Sequence, residues 1–294
     1  MTDQPATINT LVTGASGFIG RAVTRQLAPG SYIALDRHNV AENGINADLS
    51  QPDLQVDLPD TIKTIYHFAG QIWGDVATEL TMLDNVLAMA KACGAKKIIY
   101  ASTSAVYGQE VMDRPVEETA PVAPMSPYAE GKLQCEAKLA EISKGLGMDV
   151  AVMRYFNPYG LGQFEKMAVP NMMSKARAGE KLEIFGDGEQ VRDFIFIDDL
   201  AAVTLKVAET IQGFEIYNVG SGEAASINQL AQEIVAATKS TSQINHSAIP
   251  DERKNLEVHY RVANIDKISS HTGWTPQTSL KEGIRQIVAA NEAE

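Results

Sequence analysis

Tyr128 and Lys132 stand four residues apart, in Tyr128-Ala129-Glu130-Gly131-Lys132. On a helix that spacing puts the phenol and the ammonium on one face. A cation so placed favours the phenolate and is expected to lower the tyrosine pKa from its reference of about 10. A tyrosine tuned in this way can exchange protons as a general base or acid near neutral pH. Tyr-x-x-x-Lys alone recurs by chance, so its meaning depends on what surrounds it. Upstream lies Ser102-Thr103-Ser104-Ala105-Val106-Tyr107-Gly108, a run of small hydroxyl residues after the apolar stretch 97–101. Hydroxyls at the C-terminal end of a strand suit a ligand in an open α/β sheet, although simple turn chemistry gives the same pattern.

The elements that would hold these groups begin near the N-terminus. An apolar run at 8–12 leads into Thr13-Gly14-Ala15-Ser16-Gly17-Phe18-Ile19-Gly20, followed by a helical pattern over 21–28. Strand, glycine-rich turn and helix in that order bring backbone N–H groups and a helix N-terminus against a phosphate. Gly14 permits the turn, Gly17 lets a pyrophosphate approach, and Gly20 lets helix and strand pack closely. The spacing is G-x-x-G-x-x-G. Asp36 follows the apolar residues 32–35, where an acid accepts both ribose hydroxyls of an adenosine. Together these features predict dinucleotide binding.

Further along, Ala47-Asp48-Leu49 offers an acid for an adenine amine, or merely a surface turn. A strand over 62–69 ends with Ala69 and Gly70 pointing at the cofactor. A helix is predicted over 76–93, with Gly94 as its C-cap. Four prolines between 115 and 127 exclude regular helix, and a helix opens at Tyr128 and runs to about 144.

Composition narrows the class. The 294 residues carry a net charge of −12, which argues against general nucleic-acid binding but not against an anionic ligand met by a few gathered arginines. Two cysteines, Cys93 and Cys135, lack metal-ligand spacing, and no metal site is expected. Residues 1–7 lack an apolar signal core and no run reaches membrane-spanning length, so a cytoplasmic protein without membrane partners is expected.

With these motifs in order, the chain resembles the extended short-chain dehydrogenases/reductases of the nucleotide-sugar epimerase/dehydratase family. The resemblance continues through Arg154-Tyr155-Phe156-Asn157-Pro158-Tyr159-Gly160, the stretch from Gly186 to Phe194, Ile197-Asp198-Asp199 and Gly273-Trp274-Thr275-Pro276. It implies an α/β fold: a Rossmann-type doubly wound parallel sheet over residues 1–155, with segments near 194–219 returning to it, and a smaller substrate lobe over 156–294. It implies NAD as cofactor, with NADP possible, and a homodimer. The expected cofactor contacts are Gly14, Gly17, Phe18, Ile19 and Gly20 of the turn, Asp36, Asp48, Leu49, Ala69, Tyr128 and Lys132. By the same resemblance Thr103 bonds the sugar hydroxyl being oxidised, Tyr128 takes its proton and Lys132 holds the nicotinamide ribose. Asn157, Arg192 and Arg253 join Thr103 and Tyr128 as substrate contacts. The plainer alternatives are an ion pair of Arg192 with Asp193 or Asp198, and a solvated charge at Arg253.

Three departures from the family pattern bear on chemistry. Ser104 and Ala105 stand where the dehydratases carry acids, which argues against 4,6-dehydration. The segment from Gly70 to Leu80 is short, and Glu79 falls near a usual asparagine. Gly131 replaces a common serine beside Lys132. The leading expectation is C4 epimerisation of a nucleoside-diphosphate sugar with NAD recycled in place. The alternatives are an NAD(P)H-dependent 4-ketoreductase of a deoxysugar, for which Arg37 could meet a 2′-phosphate, and a dinucleotide-sensing scaffold.

Overall fold

A computed structural model describes residues 7–38, 44–109, 113–251 and 258–292. Seven strands form a wholly parallel sheet: β1 (Thr10–Thr13), β2 (Tyr32–Asp36), β3 (Ile45–Asn46), β4 (Thr64–His67), β5 (Lys97–Thr103), β6 (Asp149–Tyr155) and, after two strands of other sheets, β9 (Phe214–Val219). Their spatial order is β3-β2-β1-β4-β5-β6-β9. The chain winds outward from β1 through β2 and β3, then restarts at β4 on the other side of β1. That reversal opens a crevice beyond the C-terminal ends of β1 and β4, where α/β sheets hold their ligands. The doubly wound fold expected from the sequence is therefore present.

Strand alternation decides which helices cover which face. Leu11, Val150 and Val152 point to one side, among residues of α2 (Val76–Cys93) and α3 (Pro127–Leu146). Val12, Ala151 and Met153 point to the other, against α1 (Phe18–Gln26), α5 (Ile197–Thr210) and α7 (Asp266–Thr272). Leu83 and Val86 of α2 are fully buried; removing such a side chain from water contributes about 1.5–3 kcal/mol each. Local signals fix the helix ends. Asp75 caps α2 by accepting from the Thr78 N–H at 2.7 Å, and Gly94 closes it with φ 71°. Ser126 caps α3, with Pro127 in its first turn.

The C-terminal part has a separate apolar cluster. It joins α4 (Ala168–Arg177), β7 (Leu182–Phe185), α6 (Ile227–Ala237) and α8 (Leu280–Glu292). β8 (Val191–Arg192) lies between β10 (Ala225–Ser226) and β12 (Tyr260–Arg261), while β11 (Ile244–Ser247) pairs with β7. Among the described residues no helix is long and apolar enough to cross a membrane.

Candidate active site

The first half of the site is the turn after β1. Gly14 has φ 67°, and a Cβ there would lie 2.5 Å from the Ala69 nitrogen. A methyl on Gly20 would run into the Gly14 carbonyl. Only glycines let β1, the first turn of α1 and the end of β4 approach this closely. Gly17 is the N-cap of α1 and provides no side-chain cap, so the opening N–H groups of the helix are left for a ligand. Phe18 and Ile19 pack their side chains toward the sheet core, leaving their backbone as the part that can serve such a ligand.

Asp36 ends β2, and its carboxylate accepts from the Ser16 N–H at 3.0 Å and the His38 N–H at 3.4 Å. With Gly14, Gly17, Arg37, Asp48, Leu49, Ala69 and Gly70 it lines a cavity of about 330 Å³. Ser50 donates to Asp48 from both hydroxyl (2.7 Å) and N–H (3.0 Å), and these bonds hold its carboxyl below the usual range. An acid at the strand end, a turn without side chains and an uncapped helix start fit an adenosine ribose and a pyrophosphate. Phe68, Gln71 and Met82 also line this cavity, and no spacing rule singled them out.

The second half is built on β5 and α3. Thr103 is the last residue of β5, and its Oγ1 accepts from the Ala105 N–H at 3.1 Å, capping a short 3₁₀ turn over Ser104–Tyr107. The same hydroxyl acts on the half-buried phenol of Tyr128 and favours its phenolate. Lys132, one helical turn on, sets Nζ 5.8 Å from the Tyr128 ring centroid and 4.9 Å from that of Tyr100. It also meets Glu79 of α2: Nζ to Oε2 is 2.9 Å, with both side chains buried. The other Glu79 oxygen accepts from the Gln71 N–H at 2.9 Å. Gly131 makes room, since a Cβ there would lie 3.1 Å from Cβ of Glu79.

This geometry corrects the expected tyrosine pKa. The Tyr128 phenol stands above its ordinary value, raised first by burial and further by the Glu79 carboxylate, against the opposing Lys132 charge and Thr103 bond. The four-residue spacing counts the cation but sees neither desolvation nor a carboxylate arriving from another helix. Burial pulls the Lys132 ammonium down, but Glu79 and Tyr128 outweigh it and hold the group above its usual pKa.

Beneath the site, Arg154 of β6 forms a buried pair with Glu136 at 2.6 Å and donates to the Tyr107 hydroxyl at 2.9 Å. Tyr107 in turn donates to Asn218 at 2.6 Å. This network anchors the 3₁₀ turn to the sheet.

On the far side, Asn157 (φ 25°) donates to the Asp193 carbonyl at 2.8 Å, which directs its amide nitrogen to the backbone. Arg192 lines a second cavity of about 460 Å³ with Lys166, Asn171, Lys175, Phe185 and Gln190. The two acids near it in sequence have other duties. Asp193 accepts from Ser221, Gly222 and Ala263, and Asp198 pairs with Arg25 at 3.2 Å. Arg253 lies outside the described residues. Lys166, Lys175 and Phe185 carry no motif of their own and come together only through α4 and β7. Among the described residues no group of His, Cys, Asp or Glu could hold a metal ion.

The pattern of the NAD dependent epimerase/dehydratase family matches residues 10–220. UDP-glucose 4-epimerase of Mycolicibacterium smegmatis is 30% identical, covering 96% of this chain and 97% of that protein. UDP-glucuronate 4-epimerase of Thermodesulfobacterium geofontis is 29% identical, covering 95% and 94%. The solved UDP-glucose 4-epimerase of Thermus thermophilus, in complex with NAD, superposes with a TM-score of 0.82 at 25% identity, covering 96% of this chain and 98% of that one. A glycine turn with Asp36 beside it, the Thr103–Tyr128–Lys132 cluster and these likenesses over nearly the full length agree: the chain is an enzyme of the NAD dependent epimerase/dehydratase family.

Proposed function

We propose that the chain epimerises a nucleoside-diphosphate sugar, UDP-linked, at C4 through a transient 4-keto sugar. The observation that carries this reading is the meeting of Thr103, Tyr128 and Lys132 beside a cavity suited to a dinucleotide. NAD, when bound, would supply a hydride acceptor and donor for the C4 hydrogen of the sugar. Gly14, Gly17 and the opening N–H groups of α1 would hold its pyrophosphate, with Asp36 on the adenosine ribose and Lys132 near the nicotinamide ribose.

The chain's own residues move the proton. Tyr128 as phenolate accepts the proton of the C4 hydroxyl and returns it after the ketone has turned over. Thr103 orients the phenol, and the Lys132 charge stabilises the phenolate. The sugar must turn while the nucleotide stays fixed, so a firm grip on the diphosphate is needed away from the reacting carbon. Arg192, Lys166 and Lys175 around the second cavity suit a nucleoside diphosphate, and a guanidinium fork suits its oxygens. Buried Ser104 and the methyl of Ala105 supply no acid for elimination of water, which supports epimerisation over dehydration.

Relatives act on neutral and on acidic sugars, UDP-glucose and UDP-glucuronate among them. The test incubates each UDP-sugar with the protein and catalytic NAD and identifies products by chromatography. Interconversion of C4 epimers without net NADH is the expected result. Stoichiometric oxidation of NAD(P)H by a 4-keto sugar, with no interconversion, would move the chain to the ketoreductases.

A further inference from the structure

Glu79 is buried on the face of α2 that carries Leu83 and Val86, and the proton transfer described above makes no use of it. Its Oε2 lies 2.9 Å from Lys132 Nζ, and its Oε1 accepts from the Gln71 N–H at 2.9 Å. Two glycines make room for the pair. A Cβ on Gly131 would lie 3.1 Å from Cβ and 3.2 Å from Cγ of Glu79. One on Gly70, which lines the first cavity, would lie 2.9 Å from Nζ and 3.4 Å from Oε1. The two charges thus sit against the wall of that cavity, and the ammonium is one helical turn from Tyr128.

Holding α2 to α3 does not require such a pair. Taking two charges out of water is costly, and apolar side chains of similar volume often hold an interior as well or better. Gly131 adds to the cost, because glycine within a helix weakens it. What the pair changes is the field at Tyr128. Lys132 alone favours the phenolate, whereas Glu79 raises the phenol, on top of burial. The other titratable groups around the pair are uncharged in the neutral range. Burial keeps the Tyr100 phenol of β5 and the Cys135 thiol of α3 protonated, and the His67 imidazole of β4 neutral. Thr103 of β5 contributes a hydroxyl. Among the described residues, Lys132 and Glu79 are therefore the charges that act on Tyr128, and they act in opposite directions.

We propose that Glu79 is a positioning residue for the proton transfer at Tyr128: it holds the Lys132 ammonium between α2 and α3 and offsets its charge, which places the working range of the enzyme on the alkaline side. This rests on the epimerase reading for the reaction, and on the placement of Glu79 for the effect.

Phenolate absorbance is titrated in the unsubstituted protein and in Glu79→Gln, Glu79→Asn and Glu79→Asp. Each is read as the difference from the same protein carrying Tyr128→Phe, with thermal unfolding as the control for folding. The pH profile of kcat/KM on a UDP-sugar pair is followed alongside. In the unsubstituted protein Tyr128 ionises above its reference of about 10. Glu79→Gln lowers that midpoint by at least about one pH unit, an approximately tenfold gain in phenolate at fixed pH, and moves the rising limb of kcat/KM the same way. Glu79→Asn does likewise and stands in if the glutamine variant fails to fold. Glu79→Asp keeps the charge, so its midpoint stays closer to that of the unsubstituted protein than either amide's does. A tie that merely braced two helices would move the thermal midpoint and leave the phenol where it is. Amide variants whose phenol ionises with that of the unsubstituted protein overturn the proposal, as does an aspartate variant that shifts as far as the amides. An unsubstituted phenol that ionises below about 10 overturns it without any change at Glu79. The expected shift in a protein that interconverts no UDP-sugar epimers would overturn the epimerase reading alone.

Discussion

Lys132 Nζ lies 2.9 Å from Oε2 of Glu79, and the two side chains are 3% and 1% exposed. The pair joins α3 to α2 at the point where the chain leaves β4, because the same carboxylate accepts from the Gln71 N–H. Gly131 leaves space for Glu79, and a Cβ on Gly70 would lie 2.9 Å from Nζ, so two residues without side chains frame one buried ion pair. Glu79 thereby opposes the effect of Lys132 on Tyr128 while fixing where the ammonium sits.

Breaking this pair from one side should cost more than removing it. Lys132→Met leaves Glu79 buried without a counter-charge and is expected to destabilise the protein by about 3–5 kcal/mol. Adding Glu79→Gln to it should recover much of that loss. Urea unfolding of the single and double variants checks this, and additive losses would contradict it. Because the folded-state Lys132 pKa is raised, the contribution of the ammonium is complete below pH about 10.5 and is lost as pH rises through the folded-state value.

Tyr128→Phe removes the phenol oxygen and little else. It is expected to lower kcat by about 10²–10⁴ with the thermal midpoint nearly unchanged. In the unsubstituted protein burial raises the phenol pKa, so the phenolate fraction grows with pH across the neutral range and kcat/KM should grow with it. Stopped assays from pH 6 to 9 read this; a flat profile would remove Tyr128 as the proton acceptor.

Asp36→Ala tests cofactor choice. The carboxylate lines the first cavity and should accept from ribose hydroxyls while repelling a 2′-phosphate, with Arg37 the neighbouring counter-signal. NAD should bind the unsubstituted protein at least about 10-fold more tightly than NADP, and the variant should narrow that gap. Fluorescence titration of both cofactors decides it, and equal affinities before substitution would refute the preference.

His67 should set part of the acid stability. It is fully buried at the end of β4, with Nδ1 2.8 Å from the Thr13 hydroxyl, and burial followed by the Lys132 charge lowers its pKa to about 3. The folded state thus favours the neutral ring, and its contribution is present above pH about 6.5. Below that pH the unfolded chain binds the proton first, so stability falls by up to about 1.4 kcal/mol per unit until pH nears 3. Urea midpoints of the unsubstituted protein and His67→Asn at pH 7 and 4.5 measure it; identical pH dependence would exclude His67.

What the sequence determined by itself was local and periodic. The apolar runs of the strands, the helix pattern over 76–93 with Gly94 at its end and the glycine spacing after β1 each act within a few residues, and they point to a doubly wound sheet. Tyr128 and Lys132 share a face because a helix makes them do so. Tertiary structure decided what met that face. Glu79 is 53 positions from Lys132, and only the packing of α2 on α3 brings the carboxylate to the ammonium; burial of the phenol, with Glu79 adding to it, reverses the expected tyrosine shift. Arg261 likewise has no motif, and parallel pairing of β12 with β8 sets it beside Arg192, with Gly108 at its tip. Charge and burial depend on neighbours distant in sequence, and spacing along one element cannot encode them.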